Sequence, residues 1–231
     1  MDNEFSLQEE SPPLIDWAWI LDHLSGDGGI IQVFLQHLIL SLVPVAIAIA
    51  ISLPIGILAH RKRWLYAPAT AITGVLYTIP SLAFFVMLIP IMGIGRPPVL
   101  VALTAYSLLI LIRNVVTGLD SVPADTKDAA RGMGLTERQI LFGVEIPLAL
   151  PVIVAGIRIA IVTVVGIASI ADFVGAGGLG DLIFDGISRQ FLTPILVGAG
   201  LVALIAISAD VGLYRVEGRL RPWARRAQKA T

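Results

Sequence analysis

Five long apolar stretches constrain this chain more than any other feature: Ile30 to Ala59, Trp64 to Met92, Val99 to Leu119, Pro147 to Ala171 and Phe191 to Tyr214. Each meets or exceeds the roughly 20 residues a helix needs to cross about 30 Å of hydrocarbon, and each is bounded by charged or Gly/Pro-rich residues. Composition agrees. Of 231 residues, 56% are hydrophobic and 14% charged, with a mean hydropathy of +0.87, outside the range of a soluble globular domain. The expected class is an all-α polytopic membrane protein with no large soluble domain.

The second stretch contains Ile79-Pro80 and Pro90, so it reads as one kinked span or as two half-length helices meeting at Pro80. Charge placement decides between these. Arg61, Lys62 and Arg63 follow the first stretch; Lys127, Arg131 and Arg138 follow the third; Arg215, Arg219, Arg221, Arg225, Arg226 and Lys229 follow the fifth. The other connections hold only Arg96 and Arg189. Basic loops face the cytoplasm, so five spans with the N-terminus outside and the C-terminus inside satisfy every loop. Residues 1–29 carry seven acidic and no basic residues, the wrong charge for a signal peptide, so this start is expected to be retained. Leu14, Trp17, Ala18, Leu21 and Leu24 recur there at helical spacing and suggest a short interfacial helix; an ordinary exposed tail is the alternative. The domain reading is an acidic exterior tail (1–29), a transmembrane domain (30–214) and a basic cytoplasmic tail (215–231).

Between Asp120 and Pro147 the apolar pattern gives way to DSVPADTKDAARGMGLTERQILFGVEIP. Pro123 suits a first helical turn, and Ala124 to Met133 are mostly good helix formers. Gly134 supplies the left-handed position that ends a helix, and Thr136 with Gln139 has the spacing of a capping box opening another. A cytoplasmic helical hairpin is therefore expected between the third and fourth spans. Residues 175–180, GAGGLG, formally match a dinucleotide fingerprint. That reading fails, because a membrane helix rather than a strand precedes it and no acidic residue lies between Gly186 and Ala209. A backbone that turns sharply or packs closely at the outer membrane face explains it better.

Several function classes drop out. No GxxxxGK[ST] loop exists, so the chain does not bind ATP through a P-loop. No cysteine is present, which removes disulfides, thiolate chemistry and Cys-ligated metal sites. His23, His37 and His60 show no metal-ligand spacing, and a secondary transporter's paired repeats and midplane acid relay are missing. Charged residues at depth still need a reason. Arg158 in the fourth span either lines a path or joins an interhelical ion pair; Asp210 lies late in the fifth. Asp172, at the outer mouth beside Phe173, could attract a quaternary ammonium, and Tyr77, Phe84, Phe85 and Tyr106 offer aromatic faces for one or serve as packing.

The hairpin resembles the EAA loop of ABC importer permeases, whose pattern is Glu-Ala-Ala, three residues, Gly, nine residues, then Ile-x-Leu-Pro. The matching positions are Asp128, Ala129, Ala130, Gly134, Val144, Ile146 and Pro147, with Asp for Glu, Val for Ile and Ile for Leu. The runs PLALPVIVAGIRIA and IADFVGAGGLGDLIFDGI resemble permeases of the glycine betaine, carnitine, choline and proline betaine importers. Methionine importer permeases share VGAGGLG and the five-span layout. The resemblance implies a cell-membrane permease for a betaine-type osmoprotectant, with an amino-acid permease (methionine) or a secondary transporter as alternatives. It further implies ABC ATPase partners that dock on the hairpin and hold ATP-Mg, with no cofactor in this chain. An extracytoplasmic binding protein and a second permease copy or paralogue complete the implied assembly in the lipid bilayer, without nucleic acid. Asp172, Gly175, Gly177, Gly178 and Gly180 are the candidate outer gate; Tyr77, Phe84, Tyr106 and Arg158 are the candidate pathway.

Overall fold

A computed structural model describes residues 15–220. Acidic residues before Ile15 and the basic tail beyond Leu220 lie outside the described residues. Among the described residues there are ten α-helices and no strand. In chain order they are α1 (Trp17–Asp22), α2 (Ile30–Arg61), α3 (Tyr66–Thr78), α4 (Ser81–Met92), α5 (Arg96–Asp120), α6 (Ala124–Gly132), α7 (Glu137–Ile140), α8 (Ile146–Ala168), α9 (Leu179–Ser188) and α10 (Leu192–Arg219). α2, α5 and α10, and α8 taken together with α7, are long and apolar enough to cross a membrane.

The second apolar stretch resolves into a broken element. Helices α3 and α4 meet at an angle of 98°. Pro80 clashes with a helical conformation at the residue before it, and Ile79 is extended at ψ 128. Its freed carbonyl accepts a hydrogen bond from the Tyr106 hydroxyl at 2.6 Å, so the break is satisfied internally. At 13 and 12 residues, neither half alone covers the hydrocarbon. Against the five spans expected, four continuous helices are long and apolar enough to cross a membrane, or five if the bent pair counts as one span, and the bend is sharper than a kinked rod.

Helix α5 sits at the centre, with 61% of its membrane window buried against 22% for α10. Leu103, Leu111, Ile112 and Leu119 of α5, with Leu40 of α2 and Phe85 of α4, are buried almost completely. Close approach depends on small residues, because lipid supplies no hydrophobic drive for helix association. A Cβ on Gly56 of α2 would lie 2.5 Å from Val115 of α5, and one on Gly156 of α8 would collide with Asn114 of α5. His37, buried in α2, ties three elements together. Its Nδ1 accepts from the Leu179 amide of α9 at 3.3 Å, leaving Nε2 to donate to the Val165 carbonyl of α8 at 3.1 Å.

Part of the stretch near the start forms the short helix α1, capped by the Asp16 carboxylate accepting from the Trp19 amide at 3.0 Å. It is fastened to the start of α10, where the Asp16 amide donates to the buried Thr193 hydroxyl at 2.9 Å.

Candidate coupling hairpin, outer segment and pathway

The hairpin is built by local chemistry. Helix α6 ends in a left-handed cap: Gly134 has φ +83, its amide donates to the Arg131 carbonyl, and the Leu135 amide reaches the Ala130 carbonyl at 3.2 Å. Helix α7 opens on the expected capping box, with the Gln139 amide donating to the Thr136 hydroxyl and the Thr136 amide to the Gln139 side chain. Arg131 then clamps the two arms, pairing with Asp128 at 2.8 Å and Glu137 at 2.9 Å. Hydrogen bonding from Arg131 holds the Glu137 carboxyl below its usual range. Asp128, Ala129, Gly134 and Pro147 are exposed, Ala130 is buried, and Val144 and Ile146 are half-buried. Met133 and Phe142 project as exposed apolar side chains, 73% and 58% accessible.

Below the hairpin lies a charge chain that the sequence pattern did not reveal. Helix α7 runs into α8 through a π-helical turn at Leu141–Glu145, and Glu145 is only 8% exposed. Lys127 of α6 lies 3.5 Å from it and His60 of α2 lies 3.6 Å away. His60 also meets Asp120, at the end of α5, at 2.6 Å, and Asp120 pairs with Arg63. Arg61 donates to the Glu137 carbonyl at 3.1 Å.

On the other face, the glycine-rich segment is a tightly packed connection. Gly175, Gly177 and Gly178 all have positive φ, and a Cβ on Gly180 would overlap the Ser169 carbonyl oxygen. Gln36 of α2 accepts from the Gly178 amide at 3.1 Å, and Val174 accepts from the Gly95 amide at 2.9 Å. The segment leads into α9, a helix not foreseen from sequence, which packs on α10 where a Cβ on Gly198 would lie 2.8 Å from Ile183. Asp172 and Asp181 share this region. Burial raises both carboxyls above their ordinary values, and their mutual repulsion raises Asp172 further, while the Gly177 amide opposes this by hydrogen bonding to Asp172. A polar cavity of about 240 Å³ opens beside them, lined by Trp19, His23, Asp181, Asp185 and Arg189 among others.

Three of the four candidate pathway residues meet at the α3–α4 break. Tyr77 and Phe84 both pack edge-on against Tyr106 with ring centroids 5.7 Å apart. Phe84, Phe85 and Tyr106 are buried, whereas Tyr77 stays exposed. Arg158 stands apart from that group. Its partners are on α10: Asp210 at 2.8 Å, Glu217 at 3.3 Å and the face of Tyr214 at 5.5 Å, which is the ion-pair alternative. Arg113, on the exposed face of α5, is a membrane-span arginine that the motif reading passed over; no ion-pair partner for it is found among the described residues. No group of three or more His, Cys, Asp or Glu among the described residues could hold a metal ion.

These elements match a known family across most of the chain: residues 52–222 fit the binding-protein-dependent transport system inner membrane component. The chain belongs to this family. As a member of it, the protein is a multi-pass inner-membrane component of a transport system. The permease is 42% identical over 204 residues to the osmoprotectant import permease protein OsmW of Salmonella typhimurium, covering 86% of this chain and 95% of that one. It is likewise 42% identical over 202 residues to the glycine betaine/carnitine/choline transport system permease protein OpuCD of Bacillus subtilis, covering 87% and 88%. The fold matches a solved chain of the MetNI methionine ABC transporter in an inward-facing conformation, with a TM-score of 0.72, 25% identity, and coverage of 83% of this chain and 95% of that one.

Proposed function

We propose that this permease forms the membrane path of an ATP-driven importer for a betaine-type osmoprotectant. The observation that carries the substrate class is the 42% identity, over most of both chains, to permeases named for osmoprotectant, glycine betaine, carnitine and choline import. Separate ATPase subunits hold ATP-Mg and hydrolyse it, since this sequence contains no P-loop. The α6–α7 hairpin is their docking element. Its support is the EAA-type spacing from Asp128 to Pro147, a rigid doubly capped turn at Gly134, and the exposed Met133 and Phe142 beside it. With basic residues at the ends of α2 and α10 and in the hairpin that follows α5, the hairpin faces the cytoplasm and the glycine segment faces outward.

An extracytoplasmic binding protein delivers the solute, and a second permease copy or a paralogue completes the path. Asp172 with Gly175, Gly177, Gly178 and Gly180 forms an outer gate, and Tyr77, Phe84 and Tyr106 flank the route at the break. The intramembrane Arg113, unpaired among the described residues, suits a position on an aqueous path or subunit boundary better than one against lipid. Arg158 serves instead to fasten α8 to α10.

The test is uptake into proteoliposomes holding the permease assembled with its ATPase and binding protein, using glycine betaine, carnitine and choline as probes and methionine as the competitor class. ATP-dependent accumulation of at least one of the first three is expected. Accumulation of methionine alone would overturn the substrate class, and ATP-independent uptake would overturn the mechanism.

A further inference from the structure

We infer that Glu145 is a positioning residue for energy coupling, the centre of an ionic latch that makes the hairpin move as one body with the ends of α2 and α5. This rests on the reading of the hairpin as the ATPase dock. Three features carry it. A carboxylate that is 8% exposed is costly unless paired, and Glu145 finds partners on two other elements, the Lys127 ammonium of α6 at 3.5 Å and the His60 imidazole of α2 at 3.6 Å. The chain continues from His60 to Asp120 at the end of α5 and on to Arg63, so one contiguous set of charges spans α6, the π turn, α2 and α5.

The second feature is the π turn. One additional residue in a helical turn rotates the following side chains by about 100° relative to the preceding ones. Ile140 is buried before it, Leu141 and Glu145 within it, and Ala149 and Ile153 after it. A spacing of four drifts by about 40° per step in a regular helix, and the wider π turn reduces that drift, so Glu145 keeps the buried face of Leu141, Ala149 and Ile153. Departures of this kind are frequent at functional sites. Third, an apolar cavity of about 250 Å³, lined by Leu53, Ile57, Val115, Leu119, Phe142 and Ile146 among others, lies beside the turn. Leu141 packs the hairpin root against Val115 and Leu119 of α5, and the ionic chain adds its connection to α2 and α6.

The test uses the permease assembled with its ATPase and binding protein in proteoliposomes, with the betaine probe taken up best by the wild type. Uptake is measured per ATP hydrolysed for Glu145→Gln, for Lys127→Met, and for the charge-swapped pair Lys127→Glu with Glu145→Lys. Each single variant is expected to lower the ratio about tenfold, within the usual range of a coupling between sites. The swapped pair should recover most of that loss while the single variants keep wild-type ATPase rate and co-purification, which a merely structural role would not predict. An unchanged ratio in the single variants, or a swap as impaired as they are, would overturn the latch. Loss of ATPase co-purification with Glu145→Gln would also overturn it, assigning the residue to assembly. Gly134→Val in the same assay separates the two readings. If it leaves the ratio intact, the hairpin itself does not couple; if it lowers the ratio while Glu145→Gln does not, only the latch fails.

Discussion

At the scale of single residues, glycine and buried acid set the terms for the outer segment. Gly180 has no room for a side chain, since a Cβ would meet the backbone oxygen of Ser169 and neither chain can swing aside. Gly180→Ala is expected to cost about 3 kcal/mol, at the upper end of ordinary overpacking, and to lower the melting temperature of the purified permease by several degrees. Gly134 differs: nothing lies within 4 Å of its Cβ position, and only its φ of +83 demands glycine. Asp181 gives a pH signature. Because burial raises its carboxyl above the ordinary 3.8, the fold favours the protonated form. That contribution is complete below pH 3.8 and is lost as pH climbs through the raised value. Asp181→Asn should therefore melt higher than the wild type at pH 7 and show no advantage at pH 3, and a variant destabilised at pH 7 would refute the burial account.

At the scale of elements, the hairpin was legible in the sequence and its anchorage was not. Gly134, Thr136 and Gln139 act on neighbours within a few residues, so their cap chemistry could be read without knowing the fold. Glu145 carries no such local signal. Its partners lie 18 and 85 residues away, and the π turn that aims it leaves no trace in periodicity. Helix α9 escaped for a related reason: it is 10 residues long and starts in a glycine-rich run that reads as loop. A β-branched residue at Gly134 must adopt a left-handed backbone that costs roughly 1–2 kcal/mol. Gly134→Val is expected to reduce uptake per ATP hydrolysed about tenfold with the permease still folded, as judged by an unchanged elution profile. The Arg131–Glu137 link across the arms is complete above the ordinary Glu value of 4.5 and is lost as pH falls through the lowered one.

At the scale of the whole molecule, orientation is the prediction that organises the rest. The chain has no cysteine, so single cysteines can be introduced without background. Met133→Cys, on the hairpin, should react with a membrane-impermeant maleimide in inside-out vesicles of the permease alone, and Ser188→Cys, at the end of α9, only in right-side-out membranes. The reverse pattern would invert the topology and remove the hairpin from the ATPase. Apolar length and charge placement by themselves determined that the chain is an all-helical membrane protein with an elaborated connection between its third and fourth spans, because hydrophobic span length and helix caps are properties of contiguous residues. Only the tertiary structure decided that the second stretch turns through 98°, that Arg158 pairs with α10, that the outer glycines answer to Gln36 and Ser169, and that Glu145 lies against Lys127 and His60. Those outcomes depend on which residues distant in sequence meet across helices, and pairing across helices is settled by packing rather than by local pattern.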